Sequence, residues 1–389
     1  MNDKSQIPEN KSQIPNPKSQ YRFEVIHKDG GTKARVGRFA TAHGVVDTPV
    51  FMPVGTQGTV KTMSPEELQE IGFKIILGNT YHLSMRPGVE VSTRAGGLHR
   101  FMHWGGALLT DSGGYQVFSL ASLREISDEG VSFRSPLDGQ VHFLSPERAT
   151  QIQEAFGSDI MMVLDECTPY PCEYDYACNS MERSLQWALR CKNARRPGGA
   201  ALFGIVQGGT YAQLRSRSVE ELLRIGFDGY AIGGLSVGEP RMIMLENVAH
   251  CTSLLPERQP RYLMGCGTPV EILEAVARGV DMFDCVMPTR NGRNGTAFTR
   301  SGKLPVKNGA YRDDMGPLEE GCGCATCRNY SRAYLRHLFN AGEVLGLWLV
   351  TYHNLYFYHS LMADIRKAIA AGAFEQFSRE CAERYEHGQ

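Results

Sequence analysis

The sequence predicts an α/β fold, a (β/α)8 barrel interrupted by two insertions. Eight short apolar runs alternate with amphipathic helical patterns after residue 47, and this alternation is typical of such a barrel. An open, doubly wound sheet is the alternative, but no glycine-rich phosphate-binding turn follows the first strand to favour it. The candidate strands are 48–55, 74–79, 107–111, 159–166, 201–208, 229–235, 261–267 and 282–288.

Composition predicts an ordinary soluble protein of the cytoplasm. The 389 residues carry a formal net charge of −1, with 42% hydrophobic and 21% charged residues, so a uniformly basic surface is excluded. Eleven cysteines form no regular framework and follow no signal peptide, which favours a reducing compartment. The longest strongly apolar run near the C-terminus, 344–350, is far shorter than the ~20 residues of a membrane span.

Outside the alternating core, the chain predicts a tail, two hairpins and a second, larger insertion. Residues 1–20 contain a polar, proline-bearing near-repeat and are expected to be a disordered tail, which leaves 21–389 as a single barrel domain. A hairpin after Tyr21 should close one end of the barrel, and 131–147 should form another, with Asp138-Gly139 at its turn. The second insertion, approximately 290–353, holds a basic loop and a cysteine cluster.

Polar residues stand at the carboxyl ends of the predicted strands. They are Asp111, Asp165, Gln207 and Asp284, together with the turn Gly233-Gly234-Leu235. In a barrel these ends converge on one mouth, where barrel enzymes place their chemistry. Each acid alone could be a helix cap or a loop anchor. Asp284 lies in the apolar segment MFDCVMP, and a carboxylate there is either a structural hydrogen-bond acceptor or a chemical group.

The segment CGCATC predicts a metal site. Cys322, Cys324 and Cys327 can surround one tetrahedral ion, and His353 is the best candidate for the fourth ligand. His337, His359 and Cys381 are the alternatives. Three thiolates and an imidazole suit structural zinc, because they leave no open position for a substrate.

A run of basic residues follows Asp284. Between Thr289 and Arg312 the basic residues are Arg290, Arg293, Arg300, Lys303, Lys307 and Arg312, with no acid among them. Such a run is often only a solvated face. Beside glycines, a metal module and strand-end carboxylates, it favours a phosphate-bearing polymer as partner.

Five motifs resemble those of the bacterial tRNA-guanine transglycosylase (queuine tRNA-ribosyltransferase) family. They are DSGGYQVFSL (111–120), DECTPYP (165–171), GGLSVGE (233–239), FDCVMPTRNGRNG (283–295) and the CxCxxC cluster with its later histidine. The resemblance runs from about Tyr21 to the C-terminus. It implies a zinc-containing barrel that acts as a homodimer on the anticodon loop of tRNA. There the guanine at wobble position 34 of GUN anticodons would be exchanged for the free base 7-aminomethyl-7-deazaguanine through a covalent ribosyl-aspartate.

The resemblance also implies residue roles. Asp284 is similar to the nucleophile and Asp111 to the general acid/base. The positions matching base-binding residues are Asp165, Gln207, Gly234, Leu235, Glu239, Tyr115 and Met264, and those matching tRNA contacts are Arg290 and Arg293. Each base-binding position could otherwise be plain core packing. Thr268 stands where several relatives have lysine, so the resemblance does not carry an RNA contact over to this position. Cys167 and Val237 follow the bacterial pattern.

Three other functions compete with this one. A non-catalytic tRNA-binding partner is disfavoured by the presence of all three acids. A metal-dependent barrel hydrolase would need paired histidines, which the first strand lacks. A sugar-cleaving glycosidase could use two carboxylates, but it would not explain the metal module and the basic run.

Overall fold

A computed structural model describes residues 21–115, 124–135 and 139–387. The predicted tail, 1–20, and Asp138 of the predicted turn lie outside the described residues. The strands are β1 (Arg22–Lys28), β2 (Arg35–Thr41), β3 (Gly44–Thr48), β4 (Val50–Met52), β5 (Val54–Gly55), β6 (Ile75–Gly78), β7 (Ala107–Thr110), β8 (Arg124–Ser127), β9 (Gly130–Arg134), β10 (Val141–Leu144), β11 (Ile160–Met162), β12 (Ala201–Val206), β13 (Gly229–Ile232), β14 (Arg261–Leu263), β15 (Met282–Asp284), β16 (Thr296–Thr299) and β17 (Gly302–Pro305).

Short and long helices follow the strands. The α-helices span Pro65–Ile71, Thr80–Leu83, Val89–Arg94, Leu98–Met102, Pro146–Phe156, Tyr174–Ala194, Ala212–Ile225, Arg241–Leu254, Pro269–Ala277, Met287–Arg293, Ala325–Asn329, Arg332–Ala341, Val344–Ala370 and Phe374–His387. A π-helical turn, Ser84–Gly88, and a 3-10 turn, Gly309–Tyr311, complete them. Among the described residues, no helix combines the length and the apolar character needed to cross a membrane.

The central sheet is a closed barrel, which confirms the predicted (β/α)8 fold. Its strand order is β4-β15-β14-β13-β12-β11-β7-β6-β5, and every pairing in it is parallel. Pro53 separates β4, which pairs with β15, from β5, which pairs with β6. These two segments are therefore one strand, and the barrel has eight. Most of its residues are buried because helices cover the outside of the sheet.

The antiparallel sheet β1-β2-β3 closes the barrel at the amino ends of its strands. Arg35 of β2 makes a bidentate ion pair with Asp281, which immediately precedes β15, and both side chains are buried. The same guanidinium donates to the backbone carbonyls of Glu257 and Gln259. This end of the barrel is therefore held by a hydrogen-bonded charge pair, opposite the carboxyl ends where the predicted site residues lie.

A second polar contact at this end joins His43, His99 and Asp159. His43 Nδ1 lies 2.9 Å from Asp159 Oδ1, and His99 Nε2 lies 3.3 Å from Asp159 Oδ2. The imidazole rings are stacked, with centroids 3.6 Å apart and planes at 15°. A metal ion lies close to the plane of each imidazole that binds it, and these two rings are nearly parallel. The polar contacts in this group are those between each imidazole and the Asp159 carboxylate.

Both insertions are present. The hairpin predicted at 131–147 is part of a three-stranded sheet, β10-β9-β8. In the second insertion, the predicted basic loop is wrong in part, because Arg290 and Arg293 belong to the Met287–Arg293 helix. Pro288 stands in its first turn, where a missing N–H costs no hydrogen bond. The 27-residue helix Val344–Ala370, hereafter the long helix, packs along the 287–293 helix and β16.

Candidate active site

Asp284, the last residue of β15, has one anchored carboxylate oxygen. Its Oδ1 accepts hydrogen bonds from the Tyr262 hydroxyl at 2.5 Å and from the Gly265 N–H at 2.8 Å. Its Oδ2 receives no hydrogen bond from the described part of the chain. Burial raises the pKa of Asp284, and the two hydrogen bonds oppose this rise. The carboxylate thus has a fixed orientation and one oxygen available for chemistry.

Asp111 lies just beyond β7 on the same mouth. Its Oδ2 accepts from the Asn79 amide at 2.5 Å, and its Oδ1 accepts from the Thr80 N–H at 2.8 Å. Burial, followed by the negative charges of Asp284 and Asp111, raises the pKa of Tyr262 well above its usual value. The charges of both acids therefore act on the hydroxyl of Tyr262, which donates its hydrogen bond to Asp284.

Asp165 and Gln207 form a buried polar pair. Asp165 lies three residues beyond β11, which is shorter than the predicted strand 159–166. Its Oδ2 accepts from Gln207 Nε2 at 2.7 Å, and its Oδ1 accepts from the Ser112 hydroxyl at 3.2 Å. Burial raises the pKa of Asp165 to about 6 against these bonds. Gln207 Oε1 is buried and has no partner among the described residues, so the pair retains unused hydrogen-bonding capacity.

The turn after β13 is constrained by close packing at Gly234 and by hydrogen bonds from its backbone to Glu239. Gly234 has a φ of +63°, and a side chain there would collide with Gln207 Oε1. Glu239 accepts from the Ser236 N–H at 2.5 Å and from the Val237 N–H at 2.9 Å. Because the N–H and C=O of a trans peptide point in opposite directions, the bond to Ser236 turns the Leu235 carbonyl away from Glu239.

Tyr115 and Met264 border the same region. Tyr115 is 53% exposed. Burial raises the pKa of Tyr115. The thiol of Cys167 and the charge of Asp284 raise this pKa further, whereas the charge of Arg290 lowers it. Met264 is partly buried and directly precedes Gly265. The charge of Asp284 therefore acts on the Tyr115 hydroxyl, and Met264 directly precedes the residue whose N–H binds Asp284.

Two cations stand on the helix that follows the nucleophile candidate. Arg290 is exposed, whereas Arg293 is partly buried and its Nη1 has no hydrogen-bond partner among the described residues. Burial, followed by the charge of Arg290, lowers the pKa of Arg293. Two neighbouring guanidiniums with unused donors suit an anionic ligand. Two other members of the basic run have partners, since Arg300 pairs with Asp364 at 2.9 Å and Lys307 Nζ lies 5.7 Å from the centroid of the Phe339 ring.

The cysteine cluster and His353 come together as predicted and could hold a metal ion. The Nδ1 of His353 lies 3.8, 3.5 and 3.3 Å from the sulfurs of Cys322, Cys324 and Cys327. Tetrahedral zinc with ordinary bond lengths separates sulfur from nitrogen by about 3.5 Å. The His353 Nε2–H donates to the Phe298 carbonyl at 2.8 Å, which leaves Nδ1 as the ligand atom. The alternatives His337, His359 and Cys381 are not part of this group.

Several side chains around the mouth were not predicted from the sequence. Asn79 could have been found, because it ends a predicted strand as the acids do. Tyr262 carries no such signal, since an aromatic residue inside an apolar strand is usually core. Arg215 is fully buried and donates to the carbonyls of Gly209 and Gly233; it lies within a helical stripe whose other members are apolar or small.

Thr268, at a position where the resemblance implies a lysine in several relatives, caps a helix. Its hydroxyl accepts from the Glu271 N–H, and the Glu271 carboxylate accepts from the Thr268 N–H. This capping box begins the Pro269–Ala277 helix. The side chain is therefore engaged in helix capping.

Comparison with known proteins gives a single result. Residues 29–387 match the sequence model of the queuine tRNA-ribosyltransferase family. The chain is 57% identical over 364 residues to the queuine tRNA-ribosyltransferase of Pelotomaculum thermopropionicum, covering 94% of this chain and 98% of that protein. It is 56% identical over 369 residues to the protein of the same name from Symbiobacterium thermophilum, covering 95% and 92%.

Proposed function

Since the chain belongs to the queuine tRNA-ribosyltransferase family and is a tRNA-guanine transglycosylase, we propose that it replaces guanine at the wobble position of GUN-anticodon tRNAs. The incoming base is 7-aminomethyl-7-deazaguanine, and the tRNAs are those for aspartate, asparagine, histidine and tyrosine. One observation carries the proposal. Asp284 and Asp111 lie at the same mouth of the barrel, and the Oδ2 of Asp284 receives no hydrogen bond from the described residues.

In the first displacement, Asp284 Oδ2 attacks the anomeric carbon of the ribose. The carbon–oxygen bond forms, the glycosidic bond breaks, and its electron pair leaves with guanine. The Tyr262 hydroxyl and the Gly265 N–H hold the other oxygen and so orient the attack. Asp111 supplies the proton that the leaving purine needs.

The second displacement reverses these bonds. Asp111 takes a proton from the incoming base, whose ring nitrogen attacks the same carbon and releases Asp284. Two inversions restore the original configuration. One carboxyl group serves both proton transfers because the leaving and entering bases occupy the same site in turn.

The base is read by the pair Asp165 and Gln207. An ionised Asp165 can accept the adjacent ring N–H and amino group of guanine, and Gln207 with the Gly234 N–H would then donate to the purine carbonyl. The Leu235 carbonyl, whose peptide is bound by Glu239 through the Ser236 N–H, would accept the aminomethyl group. Tyr115 and Met264 would stack on the extruded base and so compensate for the stacking that this base loses in the anticodon loop. Extruding a base from an unpaired loop also costs less than extruding it from a duplex.

The remaining features serve binding and assembly. We propose that Arg290 and Arg293 contact nucleotides beside the exchanged base. The four-ligand centre would hold structural zinc, which stabilises the 290–353 region. This region is part of a single barrel domain, 21–389. Met315, Tyr330 and Tyr334 line an exposed groove, and such a patch suits the interface of a cytoplasmic homodimer. The mass of the native particle tests this.

The decisive experiment incubates the protein with an anticodon stem-loop and labelled guanine. We expect exchange of label into RNA and an RNA–protein adduct that resists denaturation. Asp284→Asn should abolish the adduct while RNA binding survives. An Asp284→Asn variant that still forms the covalent species would refute the assigned nucleophile.

A further inference from the structure

Two consecutive side chains of the long helix bind one residue of the β16 strand. The Phe298 N–H donates to Asn354 Oδ1 at 2.8 Å, and the Phe298 carbonyl accepts from His353 Nε2 at 2.8 Å. The opposite nitrogen of His353 faces the three thiolates. The metal centre and Asn354 are therefore joined through the backbone of a single strand residue.

Asn354 also holds the segment that follows the nucleophile. Its Nδ2 donates to the Pro288 carbonyl and to the Thr296 carbonyl, both at 3.0 Å. Asn354 is completely buried, and with Oδ1 engaged by Phe298 both polar atoms of its amide are used. Pro288 stands in the first turn of the 287–293 helix, so this amide fixes the start of the helix against β16 and the long helix.

The same two helices touch at a second point. A side chain at Gly292 would come within 2.7 Å of the Thr351 Cα. Such close backbone approach leaves no freedom for the 287–293 helix to slide. Asn354 and this contact together determine where Arg290 and Arg293 stand relative to Asp284.

We propose that Asn354 is a positioning residue for RNA binding: it transmits the rigidity of the metal centre to the helix that carries Arg290 and Arg293. This inference rests on the proposed function, because it takes these arginines as RNA contacts. Asn354 itself touches neither the RNA nor the base. Its loss should therefore impair the use of RNA and spare the use of the free base.

The test compares Asn354→Asp with the wild-type protein. The aspartate keeps one oxygen as the acceptor for the Phe298 N–H, but its other oxygen replaces the Nδ2 donor and faces the Pro288 and Thr296 carbonyls. We expect the KM for the anticodon stem-loop to rise about tenfold, while the KM for guanine and the metal content measured by mass spectrometry stay unchanged. The matched control is Asn247→Asp, because Asn247 is buried and its amide donates to the Ile243 carbonyl of its own helix. This variant should leave both KM values unchanged.

A second variant keeps the test decisive if Asn354→Asp does not fold. Gly292→Ala displaces the same helix without touching Asn354, and it should raise the KM for RNA in the same selective way. An unchanged KM for RNA in the folded variants, or equal losses for RNA and guanine, would overturn the inference. Failure of the wild-type protein to exchange guanine would instead refute the proposed function.

Discussion

Replacing Asp165 with asparagine should make the protein more stable and inactive at the same time. Asp165 is 8% exposed, and the pKa of its carboxyl, about 6, lies above the ordinary value of about 4. The folded state therefore disfavours the carboxylate. This cost is absent below pH 4, develops as the pH rises to 6 and is constant above it, where it amounts to about 3 kcal/mol.

Asp165→Asn removes the charge and with it the cost. The new amide can also pair with Gln207 Oε1 after that side chain rotates, which satisfies a buried atom that has no partner among the described residues. We expect an increase in the free energy of unfolding of about 1–3 kcal/mol at pH 7.5. For a chain of this length, that corresponds to a rise in Tm of about 1–4 °C.

The assay is thermal unfolding of both proteins from pH 4 to pH 8, together with guanine exchange. The gain in stability should shrink below pH 6 and vanish near pH 4, and exchange should be lost because an amide cannot accept two N–H groups as a carboxylate does. Asp159→Asn is the matched control: the pKa of Asp159, despite burial, is lowered by bonds from His99 and His43, so this change should destabilise the protein at pH 7.5. A destabilised Asp165→Asn variant, or a gain independent of pH, would refute the reasoning.

Three further changes test other parts of the structure. Tyr262→Phe removes a hydrogen bond that lowers the pKa of Asp284, so the acid limb of kcat/KM for RNA should move to higher pH. An unmoved limb would exclude Asp284 as the group that titrates. Arg35→Met leaves Asp281 buried without its ion-pair partner and should lower the free energy of unfolding, measured in urea, by about 3–5 kcal/mol. Lys28→Met, the control, removes an exposed ion pair with Glu257 and should lower the free energy of unfolding by less than about 1 kcal/mol. Removing the metal with a chelator should lower Tm, and adding zinc, but not magnesium, should restore it. Equal restoration of Tm by both ions would contradict a thiolate-rich site.

Period and spacing were sufficient to predict the barrel and the three cysteines of the candidate metal centre, whereas spacing alone leaves His337, His359 and Cys381 as alternatives to His353. Strand runs such as ALFGIV are apolar throughout, which only a strand covered on both faces requires, and Cys-x-Cys-x-x-Cys leaves few arrangements around one ion. The strands are shorter than predicted because polar residues such as Asp165 lie in loops beyond them. Asp111, Asp165, Gln207 and Asp284 do meet at one mouth, as the fold requires.

The parts that sequence reasoning did not find depend on long-range contacts. Nothing local to Tyr262 indicates that its hydroxyl meets Asp284, and nothing local to Asn354 indicates that it bonds Pro288. The helix at Met287–Arg293 was missed because proline, asparagine and glycine all favour turns. It forms because the long helix packs against it, and tertiary contact can override such local preferences.

The closure of the barrel has a consequence for synthesis. Met282 of β15 pairs with Val50 of β4, 232 residues earlier in the chain, and Asp284 pairs in the same ladder with Met52. Pairings this distant in sequence form slowly, since a long loop must close before the contact gains anything. A nascent chain that lacks β15 has neither the closing ladder of the barrel nor Asp284, so the proposed nucleophile is added together with the strand that completes the fold.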